Sequence, residues 1–143
     1  MMNHVLRAFG VVTLLAAALL PFMEGTAQAQ EAPTLEVVCV ERVNRALLEV
    51  TVNYTCEPGT DPIFSSDINV FVIQASGRQV AVGEGGVGDL VCDGTLQTAV
   101  IPVVPEENVP FSGGKINVAA EIGVCSAGCQ FVDVGPTPFH FGC

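Results

Sequence analysis

Apolar and polar residues alternate one for one along two stretches of this chain. Between Ala46 and Cys56, one face carries Leu48, Val50, Val52, Tyr54 and Cys56, and the other carries Leu47, Glu49, Thr51, Asn53 and Thr55. Between Lys115 and Cys125, Ile116, Val118, Ala120, Ile122 and Val124 alternate with Asn117, Ala119, Glu121, Gly123 and Cys125. A period of two, rich in β-branched side chains, belongs to a strand with one buried face. Shorter runs at Thr34–Val40, Ile68–Gln74, Arg78–Val82, Leu96–Val104 and Gln130–Val134 predict five more strands. Turn-forming residues stand between them: Glu57-Pro58-Gly59-Thr60, Ser76-Gly77, Asp93-Gly94 and Ser112-Gly113-Gly114.

No segment beyond residue 29 repeats apolar residues at helical spacing. The chain also has nine prolines and fifteen glycines, which disfavour long helices. About seven short strands joined by turns predict an all-β fold, an antiparallel immunoglobulin-like sandwich stabilised by disulfides. Gly83–Gly88 is read as a loop between strands of a single domain.

The first 29 residues break this pattern and read as a bacterial-looking, cleaved signal peptide. Arg7 gives the positive start. Phe9 to Leu20 is uncharged, and Pro21 ends it. At about a dozen residues this run is short of the roughly 20 that span a bilayer. Ala27-Gln28-Ala29 supplies small residues for cleavage before Gln30. Residues 30–143 are then one secreted, periplasmic or extracellular domain with no membrane span.

This mature part holds four basic residues (Arg42, Arg45, Arg78 and Lys115) against fourteen acidic ones, a net charge of −10. Such a surface repels nucleic acid and anionic lipid. The acidity also serves solubility.

All six cysteines lie in the mature part, as expected of a small domain in an oxidising compartment. Six allow about fifteen pairings. Strand direction narrows them: Cys56, Cys92, Cys125 and Cys129 fall toward one end, Cys39 and Cys143 toward the other. The expected bridges are Cys39–Cys143, Cys56–Cys92 and Cys125–Cys129. A Cys56–Cys125 bridge fails on parity, since Cys56 shares a face with apolar residues and Cys125 with Asn117 and Glu121. No tryptophan is present to pack on such a bridge. On a chain-entropy basis the first bridge is worth about 4.7 kcal/mol and the last about 2 kcal/mol.

Motifs that could carry chemistry are weak in context. Gly83-Glu84-Gly85-Gly86-Val87-Gly88 matches G-x-G-x-x-G, but Asp89-Leu90-Val91-Cys92 leads into a turn rather than a helix, and Glu84 opposes a phosphate. Asn53-Tyr54-Thr55 is a glycosylation sequon inside a predicted strand, read as chance. Cys125-x-x-x-Cys129 could supply two zinc ligands, but His140 is the only histidine of the mature part, so disulfides are preferred. His140 lacks a nucleophile signature, and Glu106-Glu107 reads as a solvated connection rather than a glycosidase pair. The expectation is a non-enzymatic chain without catalytic residues, metal or cofactor. It would be a binding or structural module whose disulfides stiffen the loops around Pro58, Gly83–Gly88 and Ser126. The expected partner is a protein, an envelope component or a small apolar ligand.

Two resemblances add to this. Cys56-Glu57-Pro58-Gly59, the strand ending at Gln74, Cys92-Asp93-Gly94-Thr95 and Phe111-Ser112-Gly113-Gly114 before the Lys115 strand occur in an order that resembles a family of small, mostly uncharacterised secreted bacterial immunoglobulin-like proteins. The resemblance implies a fold and no activity. Val124-Cys125-Ser126-Ala127-Gly128-Cys129-Gln130-Phe131 is similar to the closing segment of neocarzinostatin-type apoproteins, which bind an apolar enediyne chromophore in a cleft. The cysteine spacing here is one residue shorter, and that family's other close-spaced bridge has no counterpart. This second resemblance implies an alternative function, a carrier of a small apolar ligand with a cleft near Phe111 and Phe131.

Overall fold

The structure is a computed structural model that describes residues 31–59 and 64–143. The expected signal peptide lies outside the described residues. Among the described residues, seven antiparallel strands make up the fold: β1 (Thr34–Asn44), β2 (Leu47–Thr55), β3 (Ser65–Ser76), β4 (Gln79–Gly88), β5 (Gln97–Pro105), β6 (Lys115–Cys125) and β7 (Cys129–His140). Among the described residues there is no helix, and so none long and apolar enough to cross a membrane.

The two alternating stretches become β2 and β6, and their apolar faces form the core. Leu48, Val50, Val52, Ile116, Val118 and Ile122 lose all contact with solvent, and Tyr54, Cys56, Ala120 and Val124 nearly all. Each large side chain so buried contributes roughly 1.5–3 kcal/mol. Ile68, Val70 and Val72 of β3 and Ile101 and Val103 of β5 complete the interior.

Hydrogen bonding orders the strands β1-β2-β5-β4-β3-β6-β7. Residues facing inward from both halves of this order share one core, so the sheet folds back on itself. The two halves are β1-β2-β5 and β4-β3-β6-β7. At one side the halves join where β5 changes partner. Val103 still pairs with Leu48 of β2, whereas Val104 pairs with Glu84 of β4. The Glu106 N–H then donates to the Val82 carbonyl at 2.7 Å. At the other side β1 meets β6 and β7.

That seam overturns the reading of Gly83–Gly88 as a loop, because the run is the second half of β4. The inward positions of the run must admit the backbone of β5. A Cβ on Gly83 would stand 2.6 Å from the Val104 carbonyl oxygen, and one on Gly85 would stand 2.1 Å from that of Pro102. Glycine is the residue that allows one backbone this close to another. The missing side chains thus mark a close strand crossing.

β1 extends past its expected end, with a register shift between Val37 and Cys39. The shift leaves Cys39 and Val40 both buried although they are consecutive. Cys39 bonds to Cys143, with Cα atoms 5.4 Å apart. The tail is held further by the Gly142 N–H donating to the Val40 carbonyl at 3.0 Å and by Arg42 lying 5.6 Å over the Phe141 ring. Cys56–Cys92 and Cys125–Cys129 are the other two bridges, with Cα separations of 4.7 and 4.0 Å. No described cysteine is free.

Phe111 fills the end of the core opposite the short bridge. Its N–H donates to the Arg45 carbonyl at 2.9 Å. Gln74, buried, holds the next residues: its Oε1 accepts the Ser112 N–H at 2.8 Å, and its Nε2 donates to the carbonyls of Ser112 and Lys115 at 3.2 and 3.3 Å. This clamp satisfies a buried amide and fixes a connection that has no repeat of its own.

Candidate functional site

Phe111 and Phe131, expected to border a cleft, lie far apart. Phe111 is 0% exposed and Phe131 is 59% exposed. The Phe111 ring tip lies against Gly83, which pairs with Val72, which pairs with Val118. Phe131 pairs with Gly123, five residues further along β6, a distance of about 17 Å in a strand. One ring plugs the core at one end. The other lies on the outside near the other end, where a Cβ on Gly123 would touch it at 3.0 Å.

Of the loops singled out, the one after Pro58 runs into residues 60–63, which lie outside the described residues, and two other turns beside the disulfides are tied down by hydrogen bonds. Cys125 and Cys129 face each other across the β6–β7 turn, and the Ser126 N–H donates to the Gly128 carbonyl at 2.9 Å. The Gly94 N–H donates to the Cys56 carbonyl at 2.9 Å, tying the Asp93-Gly94 turn to the Cys56–Cys92 bridge. Asp93 accepts from the Thr95 hydroxyl and N–H and from the Gln97 amide. These bonds, the Thr95 hydroxyl first, hold its carboxyl below the usual carboxylate range.

The other residues singled out in the sequence lie apart. His140 ends β7 opposite Lys115, exposed. Asn53 sits inside β2, its side-chain oxygen accepting the Thr98 hydroxyl at 2.8 Å. Cys125 and Cys129 are bonded to each other rather than open to a metal. Among the described residues no group of three or more histidines, cysteines or acids is placed to hold a metal ion.

What the fold does assemble is an outward face on β4-β3-β6-β7. Register places the outward residues in rows. Gly88, Asp67, Gly123 and Phe131 form one, and Gly86, Asn69, Glu121 and Asp133 the next. Val104 of β5, Glu84, Phe71 and Ala119 follow. Val82, Ile73, Asn117 and Pro138 come after them. Phe71, Ile73, Val80, Val82 and Val104 are all exposed, which makes an apolar band where β5 meets β4 and β3. Carboxylates border it on both sides: Asp67, Glu84, Glu121 and Asp133 from the strands, and Glu106 and Glu107, which line a small cleft with Val80 and Val82.

Within this face a trough of about 290 Å³ is lined by Asn69, Phe71, Glu84, Gly85, Gly86 and Val104. Its floor is bare because Gly86 lacks a side chain, and a Cβ there would stand 2.8 Å from Asn69 Oδ1. Beyond it the acids crowd one another. Partial loss of water, a hydrogen bond shared with Asp133, and the charges of Asp133 and Asp67 raise the Glu121 carboxyl above its ordinary value. A second cleft, about 190 Å³, opens between β1 and β7 and is lined by Leu35, Val37, Val118, Val134 and Phe139 among others.

No protein-family model, curated protein or solved structure matches the chain. The sequence reading missed this face, although one signal was available. In Val70-Phe71-Val72-Ile73 both parities are apolar, which a strand with only one buried face does not need. The acids carried no such signal, since Asp67, Glu121 and Asp133 meet only through the pairing of three strands.

Proposed function

We propose that this chain is a secreted, non-enzymatic binding module whose contact surface is the outward face of β4-β3-β6-β7. The apolar band of Phe71, Ile73, Val80, Val82 and Val104 carries the reading. The core is complete without these side chains, and contiguous exposed apolar surface rimmed by polar groups is the mark of an interaction site. The frame suits the task. Three disulfides and a closed seam hold the strands before any partner arrives, which lowers the ordering cost of binding. The same bridges support an oxidising compartment outside the cytosol.

The test compares three forms of the disulfide-bonded protein for cross-linking to components of its native secretome or envelope. They are the unmodified chain, a Phe71→Thr/Ile73→Thr/Val82→Thr face variant, and a Ser126→Ala/Ala127→Ser loop variant. The expected result is a cross-linked species lost in the face variant and kept in the loop variant. Loss in the loop variant alone would return the site to the disulfide-stiffened loops.

A further inference from the structure

We infer that the trough between Phe71, Glu84 and Val104 receives an arginine or lysine side chain from a basic segment of a partner protein. The inference rests on the binding-module reading and names the chemistry of the partner. The trough offers an apolar wall and acceptors. Phe71 is 45% exposed and supplies a ring, Val104 supplies aliphatic surface, and Glu84, the cross-strand neighbour of both, supplies a carboxylate. The Asn69 amide nitrogen donates to Asp67 at 2.7 Å, while its oxygen points toward the bare Gly86 floor. A group that fills such a site needs an alkyl stem, several N–H donors and positive charge. Arginine and lysine side chains combine all three, and a guanidinium also stacks on an aromatic ring.

Charge decides between a partner and a second copy. The chain carries a net charge of −10 with five basic residues, so two acidic faces of this kind repel each other. A basic segment crossing the face would instead meet Asp67, Glu121 and Asp133 on one side of the trough and Glu106 and Glu107 on the other. Its apolar residues would cover Ile73, Val80 and Val82. It would also relieve the crowding that raises Glu121.

The probe is a decapeptide alternating arginine and valine, titrated into the disulfide-bonded protein by calorimetry and by amide chemical shifts. Its counterpart has citrulline in place of arginine, which keeps the shape and removes the charge. The expected result is binding of the arginine peptide alone, with shifts at Asn69, Phe71, Glu84 and Gly86. Glu84→Gln and Phe71→Thr should each weaken it about fivefold, as expected for one charge pair or one cation–ring contact. Glu49→Gln, on the opposite layer, should leave it unchanged. Equal binding of the citrulline peptide, or equal weakening by Glu49→Gln, overturns the inference. So does free arginine ethyl ester binding as tightly as the decapeptide, which would make this a site for small cations, or sedimentation showing a dimer that the face variant abolishes. If the decapeptide fails while the native cross-linked species still depends on the Phe71 face, the inference falls and the binding-module reading stands.

Discussion

The two outward faces of this folded sheet are built by the same alternation and finish differently. On β1-β2-β5 the outward side chains of β2 are Glu49, Thr51, Asn53 and Thr55. Several are tied to neighbours: Thr55 shares a hydroxyl hydrogen bond of 2.6 Å with Thr34, and Asn53 accepts from Thr98. On β4-β3-β6-β7 the corresponding positions hold Phe71, Ile73, Val80 and Val82 beside carboxylates that repel one another. The first face mixes these polar pairs with exposed Val38 and Val100 and sets Glu41 opposite Glu49. The second gathers its exposed apolar side chains into one band and brings carboxylates of three strands together beside it, raising Glu121, two costs that a folded domain does not require. The difference locates what the fold alone does not explain.

The largest effect tests what makes the second face possible. Gly85→Val puts a branched side chain where even a Cβ would stand 2.1 Å from a backbone oxygen of β5. The seam must open, and the expected loss is about 3 kcal/mol, the upper part of the range for overpacking. Gly88→Ala, on the outward side of the same strand, meets only the Ser66 oxygen at 3.9 Å and should change stability by less than about 0.5 kcal/mol. Denaturant unfolding of the pair measures the contrast. Similar losses at both positions would mean that the glycines serve backbone flexibility rather than the crossing.

The same strand shows where the sequence stopped being legible. β2 and β6 could be read residue by residue, because a one-sided core writes itself as alternation. Strand direction then placed the cysteines in the pairs that the structure contains. Gly83–Gly88 could not be read this way. Glycine has no side chain to show parity, and its reason for being there is the β5 backbone, which approaches only after the sheet has folded over. Phe111 was opaque for a related cause. It stands alone between Pro110 and Ser112, and it is drawn inward by Arg45 and Gln74, neither of which is near it in the chain. Of the candidate site, Phe71 and Ile73 were visible as excess apolar residues, whereas the trough and the acid cluster exist only in the register.

Next in size is the polar face. Thr98→Val removes the hydroxyl donated to Asn53 and should cost about 1 kcal/mol, an ordinary net value for one hydrogen bond. On the opposite face Phe71→Thr with Ile73→Thr keeps strand-favouring residues while removing apolar surface, so stability should move by less than about 0.5 kcal/mol per site. Retention on a hydrophobic-interaction column should fall clearly. Thermal unfolding and that retention together sharpen the comparison. A large loss of stability from the Phe71/Ile73 change would show that these side chains support the fold, and the face would lose its claim to be spare surface.

The smallest effect distinguishes two carboxylates by sign. Asp93 is held below its ordinary value by hydrogen bonds from Thr95 and Gln97, so its ionised form favours the folded state. That contribution is present above the ordinary carboxylate range and is lost as pH falls through its lowered value. Glu121 is shifted the other way, by partial burial and by Asp133 and Asp67, so its ionisation opposes folding at neutral pH and the penalty lifts as pH falls through its raised value. Asp93→Asn should therefore lower Tm at neutral pH and Glu121→Gln should raise it, and both should converge on the unmodified protein in acid. Added salt should shrink the Glu121→Gln gain, because part of it is repulsion between partly exposed charges. A basic ligand on the face should shrink it too, since the cation would supply what the glutamine substitution removes. If Glu121→Gln instead lowers Tm at neutral pH, the crowded acids are held by interactions that stabilise the fold, and the contrast between the two faces collapses.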